Sequence, residues 1–400
     1  MCRPFSDMLH RTHPHQVPAV DSSGACEELI YLGVTHRTAP LCIREAFCVD
    51  RAAARTMYLR LSSLASGRMV LSTCERFEMY LTASADSLHP LLQRISQWFH
   101  VPPNVLRSHV QVRTELDAAR HLLSVSAGLE SRIVGEDHVL GQFRRAYLHA
   151  LESGSLGPTL AALGRFALRT GKRARSETGI NAGRESIASI TVDHLHQALL
   201  PRGSADVLVL GSGDIASAVL MRLRSRSIRP IRTTVTARNL DRANELAARA
   251  GAGAVPWTEL MTAIASADAV VACTGAATFV LDAAAVAAVM RTRRHRPLLT
   301  IDLGMPRNID PACVRIPGVT RMDLAELKPA ALHDQAARGA ADRIVGQELE
   351  AFARWRRERR AAPCIAALFE RERRDRDHIP LDARRRLHPC IVRLKAEAVT

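Results

Sequence analysis

Val207-Leu208-Val209-Leu210-Gly211-Ser212-Gly213-Asp214-Ile215-Ala216 are the ten residues on which the fold turns. Four aliphatic residues without a polar interruption read as a strand buried on both faces. Two glycines follow at once, and Asp214 then opens a segment that reads as a helix. Gly211-x-Gly213-x-x-Ala216 fits the dinucleotide fingerprint G-x-G-x-x-G/A in the context it requires, after a strand and opening a helix. Glycine lets the backbone approach a pyrophosphate, and the open N–H groups of a helix start favour the anion. A tight βα turn with no ligand gives the same short pattern, so both readings stand. Gly211, Ser212, Gly213, Asp214, Ile215 and Ala216 are the candidate cofactor contacts.

Outward from this turn, strand-like segments recur at 233–236, 269–272 and 298–303, with helical text between them. Strands alternating with helices imply a parallel sheet. The next strand ends Val235-Thr236-Ala237-Arg238-Asn239. An NAD site usually places an acid here for the ribose hydroxyls, and none is present. Arg238 suits a 2′-phosphate, which selects NADPH, unless it is an ordinary surface arginine.

Upstream, a strand at Ile30–Val34, a helix over 51–64, strands at 68–73 and 78–83, a helix over 87–99 and a strand near 109–113 give a β-α-β-β-α-β order. That order suggests a ferredoxin-like layer. Asp117 to Thr178 reads as largely helical. Downstream, one long helix is expected from about Ala331 to Pro363, where the proline should kink or end it. Ile344, Leu349, Phe352 and Trp355 form its apolar stripe, which implies a homodimer through 326–400. Its arginines 354, 356, 357, 359 and 360 read as a solvated face, with nucleic-acid contact the lesser reading.

The 400 residues exceed a single core and suggest two to three domains. A formal charge of +15 points to a polyanion, nucleic acid before an anionic membrane, or to an arginine-rich composition with no ligand behind it. Nine scattered cysteines with no C-x-x-C pair give neither a disulfide framework nor a zinc site. The chain therefore reads as cytoplasmic and reduced, with no membrane span and no metal. The first 28 residues read as a disordered tail.

Leu71-Ser72-Thr73-Cys74-Glu75-Arg76-Phe77-Glu78 places a thiol at a strand-to-strand corner. Arg76 two residues on favours the thiolate, the nucleophilic form. Most cysteines are instead small buried hydrophobes. A reactive thiol beside a hydride donor suggests a definite chemistry. The thiolate takes an activated acyl group as a thioester, and hydride reduces it to an aldehyde.

With these pieces in place, the chain resembles the glutamyl-tRNA reductase family over nearly all of residues 29–370. The resemblance rests on Gly33–Pro40 with Arg44-Glu45, on Leu71–Tyr80, on Ser126–Glu136 running to Leu140-Gly141-Gln142, on Lys172–Ile180 and on Asp302–Arg307. It implies an α/β multidomain protein: a tail (1–28), a ferredoxin-like catalytic domain that binds glutamyl-tRNA (29–176), a Rossmann-type NADPH domain (177–325) and a helical dimerisation domain (326–400). It implies NADPH-dependent reduction of glutamyl-tRNA(Glu) to glutamate-1-semialdehyde, the first step of five-carbon-route tetrapyrrole synthesis. A glutamate-1-semialdehyde aminotransferase is then a possible partner.

Residue by residue, Cys74 matches the family's nucleophile, and His121 matches its histidine important for activity. Alone, His121 reads as a satisfied helix-face histidine. Thr73, Glu75, Arg76, Ser131, Glu136, Asp137, His138 and Gln142 stand at substrate-contacting positions, Arg76 as a fork for a carboxylate and Glu136 for an ammonium. Four of the chain's residues depart from the family pattern. Glu75 stands where the family has Asn, Phe77 where it has Thr or a small residue, and Asp137-His138 where it has Pro-Gln. The C-terminal domain reads as shortened, with a terminal block at 387–394 arriving early. A divergent paralogue that binds tRNA, nucleotide or a partner enzyme without reducing the ester is the alternative.

Overall fold

The computed structural model describes residues 27–136, 138–181, 186–199, 204–225, 231–294, 296–327 and 335–374. The tail up to residue 26, Asp137 and the block at 387–394 lie outside the described residues.

The N-terminal elements are β1 (Glu28–Thr35), α1 (Arg51–Arg60), β2 (Gly67–Ser72), β3 (Arg76–Ala83), α2 (Leu88–Phe99) and β4 (Gln111–Thr114). They build an antiparallel sheet in the order β2-β3-β1-β4, the ferredoxin-like arrangement expected. Tyr31 faces Tyr80 and Leu32 faces Met79 across the central pair. Every residue of β3, and all of β1 but Glu28, is buried. Cover on both faces buries even the polar residues of β3, Arg76, Glu78 and Thr82, which alternate with Phe77, Met79 and Leu81. That cover comes from α1 and α2 and from α3 (Glu115–Ser126), α4 (His138–Glu152) and α5 (Gly157–Thr178). Met57, Leu91, Leu122, Phe143 and Leu163 share one apolar cluster with Tyr31 and Met79. Helix α1 stops at Arg60, short of the expected Leu64, where the Ser62 hydroxyl donates to the Leu59 carbonyl at 2.7 Å.

After α6 (Ile187–Leu199) comes the second sheet. Its elements are β5 (Ala205–Leu210), α7 (Asp214–Ser225), β6 (Ile231–Thr236), α8 (Leu240–Ala250), β7 (Gly253–Ala254), β8 (Ala269–Ala272), α9 (Ala283–Thr292), β9 (Leu298–Asp302) and β10 (Val319–Asp323). All neighbours pair parallel in the order β10-β9-β8-β5-β6-β7. This is the doubly wound dinucleotide order, and it reverses between β5 and β8. Two strands were not readable in the sequence. β7 is two residues long, and the edge strand β10 has the mixed text Val319-Thr320-Arg321-Met322-Asp323.

Helix α10 (Gln335–Arg374) corrects one expectation and removes the ground on which another was argued. It continues through Pro363 instead of ending there: the missing N–H costs one hydrogen bond, which the helical text on both sides outweighs. Its apolar stripe is also not left open. Val345 and Phe352 are fully buried in the N-terminal core, Phe352 lies 5.6 Å from Phe166 of α5, and Leu349 and Trp355 pack beside them. The stripe therefore needs no second copy to cover it. The arginine face is also divided, because Arg356 turns inward to Glu115, which Arg360 meets at 3.3 Å. No helix among the described residues is long and apolar enough to cross a membrane.

Candidate active site

The β2–β3 hairpin places Cys74 at its corner. Thr73 N–H donates to the Arg76 carbonyl at 2.8 Å, and Glu75 N–H to the Thr73 hydroxyl at 3.2 Å, so the turn is closed on itself. The Cys74 side chain is half-buried and packs against the core of the second sheet. The cleft there is lined by Thr73, Cys74, Glu75 and Arg76 from the hairpin and by Ser131 and Glu136 from the loop after α3. It is closed by His138, Gln142 and Arg145 of α4 and by Asp214 and Ile215 at the start of α7. Residues far apart in sequence thus meet where the two sheets face each other. Arg145 reaches across to Asp214 at 3.4 Å.

The electrostatics differ from the sequence expectation. Burial pushes the Cys74 thiol up to about 12, with Glu75 and Glu136 adding to it and Arg44 and Arg76 opposing. The thiol is therefore protonated at neutral pH in this arrangement. Arg76 favours the thiolate only in part, because its charge is shared with carboxylates. Its side chain is buried and spends its donors on Glu78 at 3.3 Å, Glu75 at 3.4 Å and the Glu130 carbonyl at 2.9 Å. For the same reason it does not present an open fork to a ligand carboxylate.

Glu75 gains a structural explanation. One carboxylate oxygen accepts from Arg132 N–H at 3.2 Å and from Arg76, and it lies 3.9 Å from His36 Nδ1. It therefore ties the nucleophile's hairpin to the loop that carries Ser131. Burial lowers His36 to about 4, only partly offset by Glu75, so this histidine is neutral.

His121 does not line the cleft. It is buried on α3, with Nε2 3.1 Å from Glu78 Oε1 and its ring 4.3 Å from that of Tyr31. Glu78 in turn holds Arg76 and accepts from Tyr80 at 2.8 Å. The histidine expected as a proton-transfer group is thus joined to the cleft by contacts through Glu78 and Arg76. Arg44, Glu78, Arg132 and Arg145 were not among the sequence candidates. Glu78 had a signal, a lone acid in the apolar text of β3.

On the nucleotide side, Gly211 has φ +122 and a Cβ there would lie 2.7 Å from the Cys273 carbonyl, so the turn requires glycine. A Cβ at Gly213 would meet nothing within 4 Å, Ser212 lies between the two glycines, and Ala216 is fully buried. This leaves room over the N-terminus of α7 for a phosphate group. Arg238 is exposed two residues after β6, at the same carboxyl end of the parallel strands as the glycine turn. No group of three or more His, Cys, Asp or Glu among the described residues could hold a metal ion.

The two halves meet known families separately. Residues 32–178 match the model of the glutamyl-tRNAGlu reductase N-terminal domain, and 194–330 that of shikimate / quinate 5-dehydrogenase. The glutamyl-tRNA reductase of Alkalilimnicola ehrlichii is 32% identical over 86% of this chain and 78% of its own length. That of Corynebacterium diphtheriae is 35% identical over 85% and 78%. Among solved structures, the glutamyl-tRNA reductase from Methanopyrus kandleri is 27% identical with a TM-score of 0.46, covering 92% of this chain and 93% of that one. With relatives 32% and 35% identical over 86% and 85% of its length, the chain belongs to the glutamyl-tRNA reductase family.

Proposed function

We propose that this chain reduces glutamyl-tRNA(Glu) to glutamate-1-semialdehyde with NADPH, the entry step of five-carbon tetrapyrrole synthesis. The observation that carries this reading is the shared cleft: Cys74 and the first turn of α7 line it together. The Cys74 sulfur attacks the ester carbonyl of the charged tRNA as its thiol gives up a proton. A C–S bond forms, the C–O bond to the ribose breaks, and the ribose oxygen leaves carrying that proton. Gly211–Ala216 would hold NADPH, which when bound would supply the hydride that reduces the thioester to the aldehyde and returns the sulfur of Cys74 as thiolate. Glu136 and Ser131 face the same cleft and suit the substrate ammonium and carboxylate, with Gln142 and His138 beside them.

Arg238 supports the choice of NADPH over NADH, since it stands where an acid would otherwise read the ribose. Replacing it with alanine is expected to weaken NADPH more than NADH in a fluorescence titration; equal losses for both would remove the 2′-phosphate contact.

A second reading, a paralogue that binds without reducing, is favoured by the protonated thiol and by the carboxylates around it. A single-turnover assay with charged tRNA and NADPH separates the two. Wild type is expected to give aldehyde and Cys74→Ser none. Absence of product from wild type would leave the binding role.

A further inference from the structure

With Arg76 held by carboxylates, the thiol needs another cation, and one is present. Arg44 closes a one-turn helix (Leu41–Arg44) and is 5% exposed. Its Nη1 donates to the Cys74 carbonyl at 2.5 Å, across 30 residues of sequence. Its Nε is buried and meets no acceptor among the described residues, so donor capacity remains at this corner. The next residue, Glu45, is gripped by Arg307 of the second sheet through Nε at 2.9 Å and Nη2 at 2.7 Å. Arg44 is therefore held in place from both domains.

We propose that Arg44 is the positioning residue for Cys74: its guanidinium fixes the hairpin corner by the Cys74 carbonyl and provides the charge against which the thiolate forms. The role rests on Cys74 being the nucleophile, as proposed above. The charged and titratable groups facing the thiol are Glu75 and Arg76 on its own hairpin, Arg44 beside it, and Glu136, His138, Arg145 and Asp214 across the cleft. Of the cations, Arg44 lowers the thiol most, ahead of Arg76. Arg132 and Cys48 stand on the other side of the Arg44 guanidinium. An unpaired buried guanidinium is costly, and a thiolate opposite it offsets part of that cost.

Alkylation by iodoacetamide across neutral to alkaline pH, read on the Cys74 peptide by mass spectrometry, tests the proposal without tRNA or nucleotide. Arg44→Gln keeps a donor for the carbonyl and removes the charge, whereas Arg44→Lys keeps the charge. The Gln variant is expected to react about tenfold more slowly near neutral pH, its profile moved up by about one pH unit. The Lys variant is expected to follow wild type. A Gln profile that superimposes on wild type, or a Lys variant as slow as Gln, would overturn the charge role. If Arg44→Gln does not fold, Arg44→Lys alone decides, because a shifted Lys profile contradicts the proposal. A wild type that makes no aldehyde yet shows the Arg44 effect would defeat the reductase reading and leave this inference standing.

Discussion

A carboxylate with no exposed surface sits in the middle of β3. Burial by itself would push Glu78 up, but His121, Arg76 and the hydrogen bonds from His121 and Tyr80 outweigh it, holding Glu78 at about 2 against an ordinary 4.5. Because the folded value is the lower one, its contribution to stability is present above pH 4.5 and is lost as pH falls from there towards 2. Urea unfolding followed by tryptophan fluorescence is expected to show that acid limb, and Glu78→Gln to flatten it. At neutral pH the same substitution leaves Arg76 buried without its main partner, a loss of about 3–5 kcal/mol. A limb of unchanged steepness in the variant would assign the acid sensitivity elsewhere. The acid in Phe77-Glu78-Met79-Tyr80 could be seen in the sequence, but its partner His121 lies 43 residues away and no local pattern joins them.

Among the elements, the turn between β5 and α7 was the most legible, because its requirements are local. Strand, glycines and helix start are contiguous, and each is a matter of backbone geometry. Its two glycines nonetheless do different things, which only neighbouring strands reveal. Gly211→Ala forces a side chain into positive φ and against the Cys273 carbonyl, and is expected to cost about 1–3 kcal/mol of stability. Gly213→Ala meets nothing within 4 Å, so stability should stay within about 0.5 kcal/mol while dinucleotide affinity falls. Denaturation and cofactor-fluorescence titrations on both variants check this. Equal loss of affinity with no loss of stability at residue 211 would contradict the steric account. Helix α10 was legible in type but not in partner. Its periodicity gives an apolar stripe, and a stripe satisfies its need against any complementary face. The face of α3 and α5 in the same chain is the one that covers it.

At the scale of the whole molecule, the fork between Glu45 and Arg307 ties the N-terminal half to the loop after β9. Arg307 donates from its backbone N–H at 2.6 Å and from the Nε and Nη2 of one guanidinium edge, and both side chains are largely shielded. A double-mutant cycle of Glu45→Gln and Arg307→Lys is expected to give a coupling of about 1–2 kcal/mol in unfolding stability. The aldehyde yield and the rate of Cys74 alkylation should both fall in each single variant, because the fork anchors the residue next to Arg44. Additive stability effects would show that the fork is not a unit.

What the residue order determined by itself is whatever depends on near neighbours. The β-α-β-β-α-β text, the parallel-sheet alternation, the glycine turn and the placing of Cys74 at a hairpin corner all follow from spacing along the chain. What the tertiary structure alone decided is the charge state of that corner. The pairing of Arg76 with Glu78, of Glu78 with His121 and of Arg44 with the Cys74 carbonyl joins segments 30 or more residues apart in two of the three cases. Electrostatic energies in a desolvated site follow distance in space and burial, neither of which is written in the order of residues. Arg76 beside Cys74 reads as an activating cation, and the fold turns it into half of a buried ion pair.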